Sequence, residues 1–153
     1  MNAPQLPEGG TVGYLDAGGE EKIRYAFWDR EEAKATILLL TGFNECIEKY
    51  YEVVADLLGR GYAVFTMDWR SQGLSTRPLS NRHKIYVETF DQYLSDLHHY
   101  AKTVVRPNAL GPLFILAHSM GGHIALRYIH DHPQPFSGAF LCAPMVDIKL
   151  GFA

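Results

Sequence analysis

The chain has 153 residues, 47% of them apolar and 20% charged, which fits one globular domain with a real core and argues against intrinsic disorder. Its 14 basic side chains against 17 acidic ones leave a net charge of −3 with no basic block, so there is no electrostatic footprint for nucleic acid. The longest apolar run, around residues 37–40, is far too short to cross a bilayer, and Met1-Asn2-Ala3-Pro4-Gln5 has neither the cationic start nor the apolar stretch of a signal peptide. Two cysteines, Cys46 and Cys142, cannot make a disulfide framework. They read as buried small hydrophobes in a reducing compartment, and a cytoplasmic location is expected. With only scattered histidines beside them, no metal and no organic cofactor is expected.

The first ten residues are rich in Pro and Gly and are expected to be flexible; residues 11–153 then read as one domain. Residues 11–15 and 23–28 flank Gly18-Gly19 and predict an antiparallel hairpin. Residues 36–40 are an unbroken apolar run with β-branched members, the pattern of a strand buried on both faces. Ile47, Tyr50, Tyr51, Val54, Leu57 and Leu58 recur at helical spacing, with Gly59 and Gly61 as stop signals. Residues 62–67 predict a second buried strand, and the polar stretch 68–81 a loop. A helix is predicted from about residue 90 to 105, with Thr89 and Gln92 as a capping box and Pro107 just beyond its end. Residues 113–117 predict a third buried strand, 121–131 a helix stopped before Pro133, and 138–142 a fourth buried strand. Unbroken apolar strands alternating with helices define an α/β chain whose mostly parallel sheet has helices on both faces.

In such sheets ligands bind beyond the carboxyl ends of the strands. The informative segment there is Ala117-His118-Ser119-Met120-Gly121-Gly122, between a strand and a helix. A nucleophile elbow needs a sharp strand-to-helix turn with small residues two before and two after the nucleophile, here Ala117 and Gly121. Ser119 then stands at a helix N-terminus, whose partial positive charge favours developing negative charge, and the Met120 N–H points to where a tetrahedral oxyanion forms. Ala117 stands where the pattern G-x-S-x-G has Gly, and the same residues also suit a Ser N-cap on an ordinary βα turn. A second oxyanion donor is expected after the strand at 36–40. There the chain reads Thr41-Gly42-Phe43-Asn44-Glu45, Gly42 permits close backbone approach, and the Phe43 N–H is the candidate.

Four stretches together resemble the α/β-hydrolase superfamily, in its lysophospholipase and monoacylglycerol-lipase-like branch, also called serine aminopeptidase-like hydrolases. They are Leu40-Thr41-Gly42-Phe43-Asn44-Glu45, Asp68-Trp69-Arg70-Ser71-Gln72-Gly73-Leu74-Ser75, the Ser119 segment, and Cys142-Ala143-Pro144-Met145. The family's D-x-R-G-x-G-x-S stretch is matched at Asp68, Arg70, Gly73 and Ser75, with Ser71 in place of a Gly; its frequent His-Gly is Thr41-Gly42 here. The resemblance implies Ser119 as nucleophile, Phe43 and Met120 as backbone oxyanion donors, and structural roles for Asp68, Arg70 and Gly73. It implies a serine hydrolase of carboxylic esters, acting through an acyl-enzyme on a small-molecule or lipid ester such as a lysophospholipid or monoacylglycerol. Contact with a membrane surface is then transient, and the oligomeric state is left open.

The family's triad runs Ser, then Asp or Glu, then His along the chain. No histidine follows His132, so the base is expected to be absent, and Asp147 is the one residue placed where some relatives carry the acid. His118 adjoins Ser119, but strand alternation turns it to the other face. The chain therefore reads as the N-terminal part of such a hydrolase, cap and later strands absent, with close to no turnover of its own; the resemblance then implies that the strand at 138–142 has a free edge exposing Phe140 and Leu141. The other readings are an inactive truncated or binding protein, and an acyltransferase or aminopeptidase using the same nucleophile.

Overall fold

A computed structural model describes residues 5–133 and 135–147. The first four residues of the segment expected to be flexible, and the last six of the expected domain, lie outside the described residues. Six strands form one sheet: β1 (Thr11–Asp16), β2 (Lys22–Trp28), β3 (Thr36–Leu40), β4 (Ala63–Met67), β5 (Leu113–His118) and β6 (Phe136–Cys142), in the order β1-β2-β4-β3-β5-β6. The β1–β2 hairpin turns at Gly18 and Gly19, both at positive φ, and β2 runs antiparallel to β4. β4, β3, β5 and β6 are mutually parallel.

The helices pack on both faces. A 3₁₀ turn (Ile47–Tyr50) leading into α1 (Tyr51–Gly59) joins β3 to β4, and its Ile47 and Val54 pack with Ala26, Trp28, Leu39 and Val64 on one face. On the other face lie α2 (Asp91–Tyr100), between β4 and β5, and α4 (Met120–Asp131), between β5 and β6, with a single turn α3 (Arg106–Asn108) between them in sequence. Their Tyr93, Leu97, Tyr100, Ile124, Ala125 and Tyr128 close over Leu38, Leu40, Phe65 and Ile115. β3 and β4 are buried at every position, as two-sided coverage requires.

The connections set where a ligand can sit. From β3 the chain crosses to β4 on one side, whereas β5 lies on the other side of β3 and leads outward to β6. The carboxyl ends of β3 and β5, paired at Leu40 and Ala117, therefore flank the point where the winding reverses.

Four expectations need correction. The cysteines are not both buried: Cys46 is half-buried and Cys142, at the end of the edge strand, is exposed. The strand at 138–142 is not the buried strand its apolar run predicts but the free edge the resemblance implies: β6 has a partner on one side only among the described residues, and Phe140 is 61% exposed. The helix expected over 90–105 is regular only through Tyr100. It widens into a π turn (Ala101–Val105), where the Arg106 N–H reaches back to the Ala101 carbonyl, and Pro107 falls inside the helical turn that follows rather than beyond the helix. Pro107 has no N–H to donate, so the widened turn sits where the regular ladder must break. The capping box at Thr89 does not form either. Phe90 is the N-cap, without a side-chain bond, and the Gln92 side-chain Oε1 accepts from the Glu88 N–H at 2.8 Å.

Candidate active site

Ser119 is the single residue between β5 and α4, at φ 51° and ψ −117°. A serine held at positive φ is strained, by about 1–3 kcal/mol, and persists only where its surroundings over-determine it. Here they do. The Ser119 N–H donates to the Cys142 carbonyl at 3.0 Å, while the Ser119 carbonyl accepts from Gly122 at 2.9 Å and from Met145 at 3.0 Å. The Cys142-Ala143-Pro144-Met145 stretch thus clasps the serine backbone from both ends, turning through Ala143 at φ 44°. The side chain makes no cap bond to α4, unlike an ordinary Ser N-cap.

The small residues around Ser119 have steric reasons. A Cβ on Gly121 would stand 2.5 Å from the Thr41 carbonyl oxygen and 2.6 Å from that of Leu40, so α4 begins in direct contact with the end of β3. A Cβ on Gly122 would meet Pro144 at 2.9 Å. Ala117 is wholly buried between β3 and β6, and its methyl group is accommodated.

The segment following β3 emerges beside this turn. Gly42 is packed against Glu45 and His118, where a Cβ would lie 2.7 Å from the carboxylate. The Gly42 N–H donates to Glu45 Oε2 at 2.6 Å, and the Asn44 N–H, at φ 55°, donates to Gln72 Oε1 at 2.5 Å. The Phe43 N–H between them has no acceptor among the described residues. Met120 opens α4, so its N–H has no partner within the helix. Phe43 and Met120 line one cleft of about 420 Å³ with Ile85, Tyr86, Val87 and Phe90. Its walls are apolar and aromatic, and Phe43 itself is 56% exposed.

Asp68, Arg70 and Gly73 sit beneath these loops. Asp68, fully buried, accepts from Arg24 at 2.7 Å, from the Ile47 N–H at 2.9 Å and from the Leu74 N–H at 2.8 Å. It joins β2, the start of the 3₁₀ turn and the loop after β4. Burial pushes its carboxyl up, against the bonds from Leu74 and Arg24. Gly73, at φ 52°, lies directly over that carboxylate, where a Cβ would approach to 2.2 Å. Arg70 forks onto Asp96 of α2 at 2.9 and 2.6 Å and reaches the Ala17 carbonyl at 3.1 Å. Ser71, in place of the family's Gly, stands at φ 63°, and its hydroxyl accepts from the Tyr86 N–H at 3.0 Å. Thr41, in place of the family's His, is buried; its carbonyl accepts from the Trp69 indole at 2.8 Å, and its hydroxyl has no partner among the described residues.

His118, the last residue of β5, turns away from Ser119 into a second groove, of about 340 Å³, lined also by Glu45, Lys49, Tyr50 and Cys142. Its Nδ1 lies 3.1 Å from the Tyr50 hydroxyl and 3.3 Å from Glu45. Burial alone would raise the Glu45 carboxyl. Hydrogen bonds from Lys49, Tyr50, Gly42 and His118 outweigh it and hold the carboxyl down at about 2. Among the described residues no histidine hydrogen-bonds the Ser119 hydroxyl. Asp147 is exposed, beyond the end of β6. Glu45, Gln72 and Trp69 were not assigned a role from sequence, although all three lie within the stretches that carry the resemblance.

Solved structures share this fold. A soluble variant of monoglyceride lipase from Saccharomyces cerevisiae superposes with a TM-score of 0.76 at 26% identity, over 94% of this chain and 47% of that one. A thermostable carboxyl esterase from Bacillus coagulans gives 0.75 at 21% identity, over 88% and 44%. The fold is that of the α/β hydrolases, here with the strands and helices described above. The chain belongs to the serine aminopeptidase, S33 family, whose pattern matches residues 31–153. Among curated relatives, lysophospholipase L2 of Escherichia coli is 32% identical over 128 residues, 84% of this chain and 38% of its own length. Monoglyceride lipase of Saccharomyces cerevisiae is 31% identical over 133 residues, 82% and 41%. The chain thus spans about two fifths of the length of these relatives. Among the described residues no helix is long and apolar enough to cross a membrane.

Proposed function

We propose that this chain carries the nucleophile and oxyanion hole of a serine hydrolase that cleaves carboxylic esters of lipids, lysophospholipids or monoacylglycerols. The observation that carries the reading is Ser119 at φ 51° on the β5–α4 turn, beside an apolar cleft shared by Phe43 and Met120. Ser119 Oγ attacks the ester carbonyl carbon, and the N–H groups of Phe43 and Met120 receive the oxyanion of the tetrahedral intermediate. Collapse expels the alcohol and leaves an acyl-enzyme, which water hydrolyses. The acyl chain lies along Ile85, Tyr86, Val87 and Phe90.

The cleft also favours lipid esters over the aminopeptidase substrates of the family's description. An aminopeptidase must hold an α-ammonium group with carboxylates or carbonyls, and among the described residues no acidic one lines this cleft. The proton of Ser119 Oγ needs a base that the described residues do not supply, so turnover by the chain alone is close to nil. Asp147 stays the candidate acid, in the place where some relatives carry one.

The test is labelling of the purified chain by a long-chain alkyl fluorophosphonate, located by peptide mass spectrometry. Modification of Ser119, slow without a base, rising with pH as solvent hydroxide takes the proton, and abolished in Ser119→Ala, is expected; modification unchanged in that variant rejects the nucleophile. Multiple-turnover hydrolysis of a monoacylglycerol by the wild-type chain, lost in Ser119→Ala, would overturn the missing base while keeping the nucleophile.

A further inference from the structure

The segment 41–44 is anchored on both sides of one peptide plane. The Thr41 carbonyl accepts from Trp69 at 2.8 Å, the Gly42 N–H donates to Glu45 at 2.6 Å, and the Asn44 N–H donates to Gln72 at 2.5 Å. Peptide units are planar, so tying the units before and after the Gly42–Phe43 unit restricts the one rotation that swings the Phe43 N–H. The Phe43 side chain offers little anchorage, being 56% exposed. Asn44 is in the left-handed region, which a non-glycine residue holds only with help.

The two anchors of N–H groups differ in kind. Glu45 is three residues from Gly42 and belongs to the same turn. Gln72 comes from the loop after β4, 28 residues away from Asn44 in sequence, and is fully buried. Both ends of its amide are used: Oε1 accepts from Asn44, and Nε2 donates to the Tyr93 hydroxyl of α2 at 3.2 Å. A buried amide is tolerated only when satisfied in this way. It bridges the segment after β3 to a helix packed on the sheet.

We propose that Gln72 is a positioning residue for the oxyanion hole, locking the Phe43 N–H toward the space in front of Ser119 by holding the next N–H along the chain. The proposal rests on the reading of Ser119 and Phe43 given above. Gln72 touches no reacting atom; its effect passes through the backbone of Asn44.

The test uses the full 153-residue chain and 1-butaneboronic acid. Ser119 Oγ bonds to boron, its proton leaves to solvent, and the tetrahedral boronate presents an oxygen to the Phe43 and Met120 N–H groups. Binding is read by ¹¹B NMR, and backbone amide exchange at Phe43 and Asn44 is read independently. Gln72→Met, similar in length and without an acceptor, is expected to weaken the adduct about tenfold, less than the roughly 10²–10³ that outright loss of an oxyanion donor costs because the Phe43 N–H is loosened rather than removed, and to speed Asn44 exchange. Gln72→Glu keeps an oxygen acceptor for Asn44 and is expected to restore both to within about threefold. Wild-type boronate affinity and wild-type Asn44 exchange in Gln72→Met overturn the proposal and leave Ser119 untouched. Binding that survives in Ser119→Ala overturns the reading of Ser119 instead; the two failures separate because amide exchange reads Gln72 without the boronate, and it alone decides the role of Gln72 if no adduct forms. Should Gln72→Met not fold, Tyr93→Phe removes only the far anchor of the amide. Faster Asn44 exchange in it supports the proposal, and wild-type exchange counts against it.

Discussion

Glu45 shows how one side chain serves both stability and site geometry. It is only 9% exposed, yet it is an anion with four partners: Lys49, Tyr50, the Gly42 N–H and His118. Its carboxyl sits at about 2 against an ordinary value of 4.5. A carboxyl depressed on folding contributes stability that is fully present above the unfolded value and is lost as pH falls through the folded one. The window is therefore roughly pH 4.5 down to 2, and the shift corresponds to about 3 kcal/mol. Glu45→Gln is expected to be less stable at pH 7 and to lose less stability between pH 5 and 2. Urea unfolding at a series of pH values checks both; parallel profiles for wild type and variant would remove Glu45 as the source. Ser119 is the opposite case at the same scale. Its backbone conformation costs stability, and the clasp from Cys142 and Met145 offsets that cost at the residue proposed above as the nucleophile.

At the scale of elements, the site is assembled from four consecutive strand ends. β3 supplies the segment with Phe43, β4 the cage around Asp68 and the Gln72 anchor, β5 the Ser119 turn, and β6 the clasp on its backbone. The contact that joins the first and third is the approach of α4 to the end of β3, with Gly121 against the carbonyls of Thr41 and Leu40. Gly121→Ala inserts a methyl group where two carbonyl oxygens already stand, and backbone cannot move aside as a flexible side chain can. Destabilisation by about 1–3 kcal/mol is expected, together with loss of fluorophosphonate labelling at Ser119, because the turn and the Phe43 segment are pushed apart. Thermal melts and labelling of the same sample check it; a variant that melts and labels like wild type would show that α4 can shift without consequence.

At the scale of the whole molecule, the sheet is covered unevenly. The central strands are sealed by helices on both faces, whereas β6 is an edge among the described residues, with Phe140 61% and Val146 66% exposed. An edge with unpaired backbone groups and exposed apolar side chains templates pairing with another chain. The purified chain is expected to associate as its concentration rises. Phe140→Lys, placing a charge on the edge strand, should suppress that association with little change in melting temperature. Light scattering over a concentration series decides: a wild-type chain that stays monomeric at high concentration would mean that the edge is protected.

The sequence by itself determined the parallel α/β architecture, because strands buried on both faces must be continuous apolar runs, and β3, β4 and β5 are such runs. It also located the Ser119 turn, since a strand that turns sharply into a helix tolerates only small residues around the serine, and Ala117 and Gly121 are local features of the chain. Motif spacing placed the Asp68 stretch and the segment carrying Phe43 in the same way. The apolar run alone did not reveal that β6 is exposed, since such a run looks the same in the centre and at the edge; the resemblance supplied the free edge, and the sheet order shows it among the described residues. Nor did it reveal the π turn before Pro107 or the failure of Thr89 as a cap, because helical periodicity is blind to which hydrogen bonds close. The roles of Glu45 and Gln72 were hidden for a third reason. Each is a polar residue at an unremarked position, and its partner, the Gly42 or Asn44 N–H, is a backbone group that every sequence has. Tertiary structure decided those roles, because burial turned two ordinary hydrogen-bonding side chains into the groups that hold one peptide plane in place.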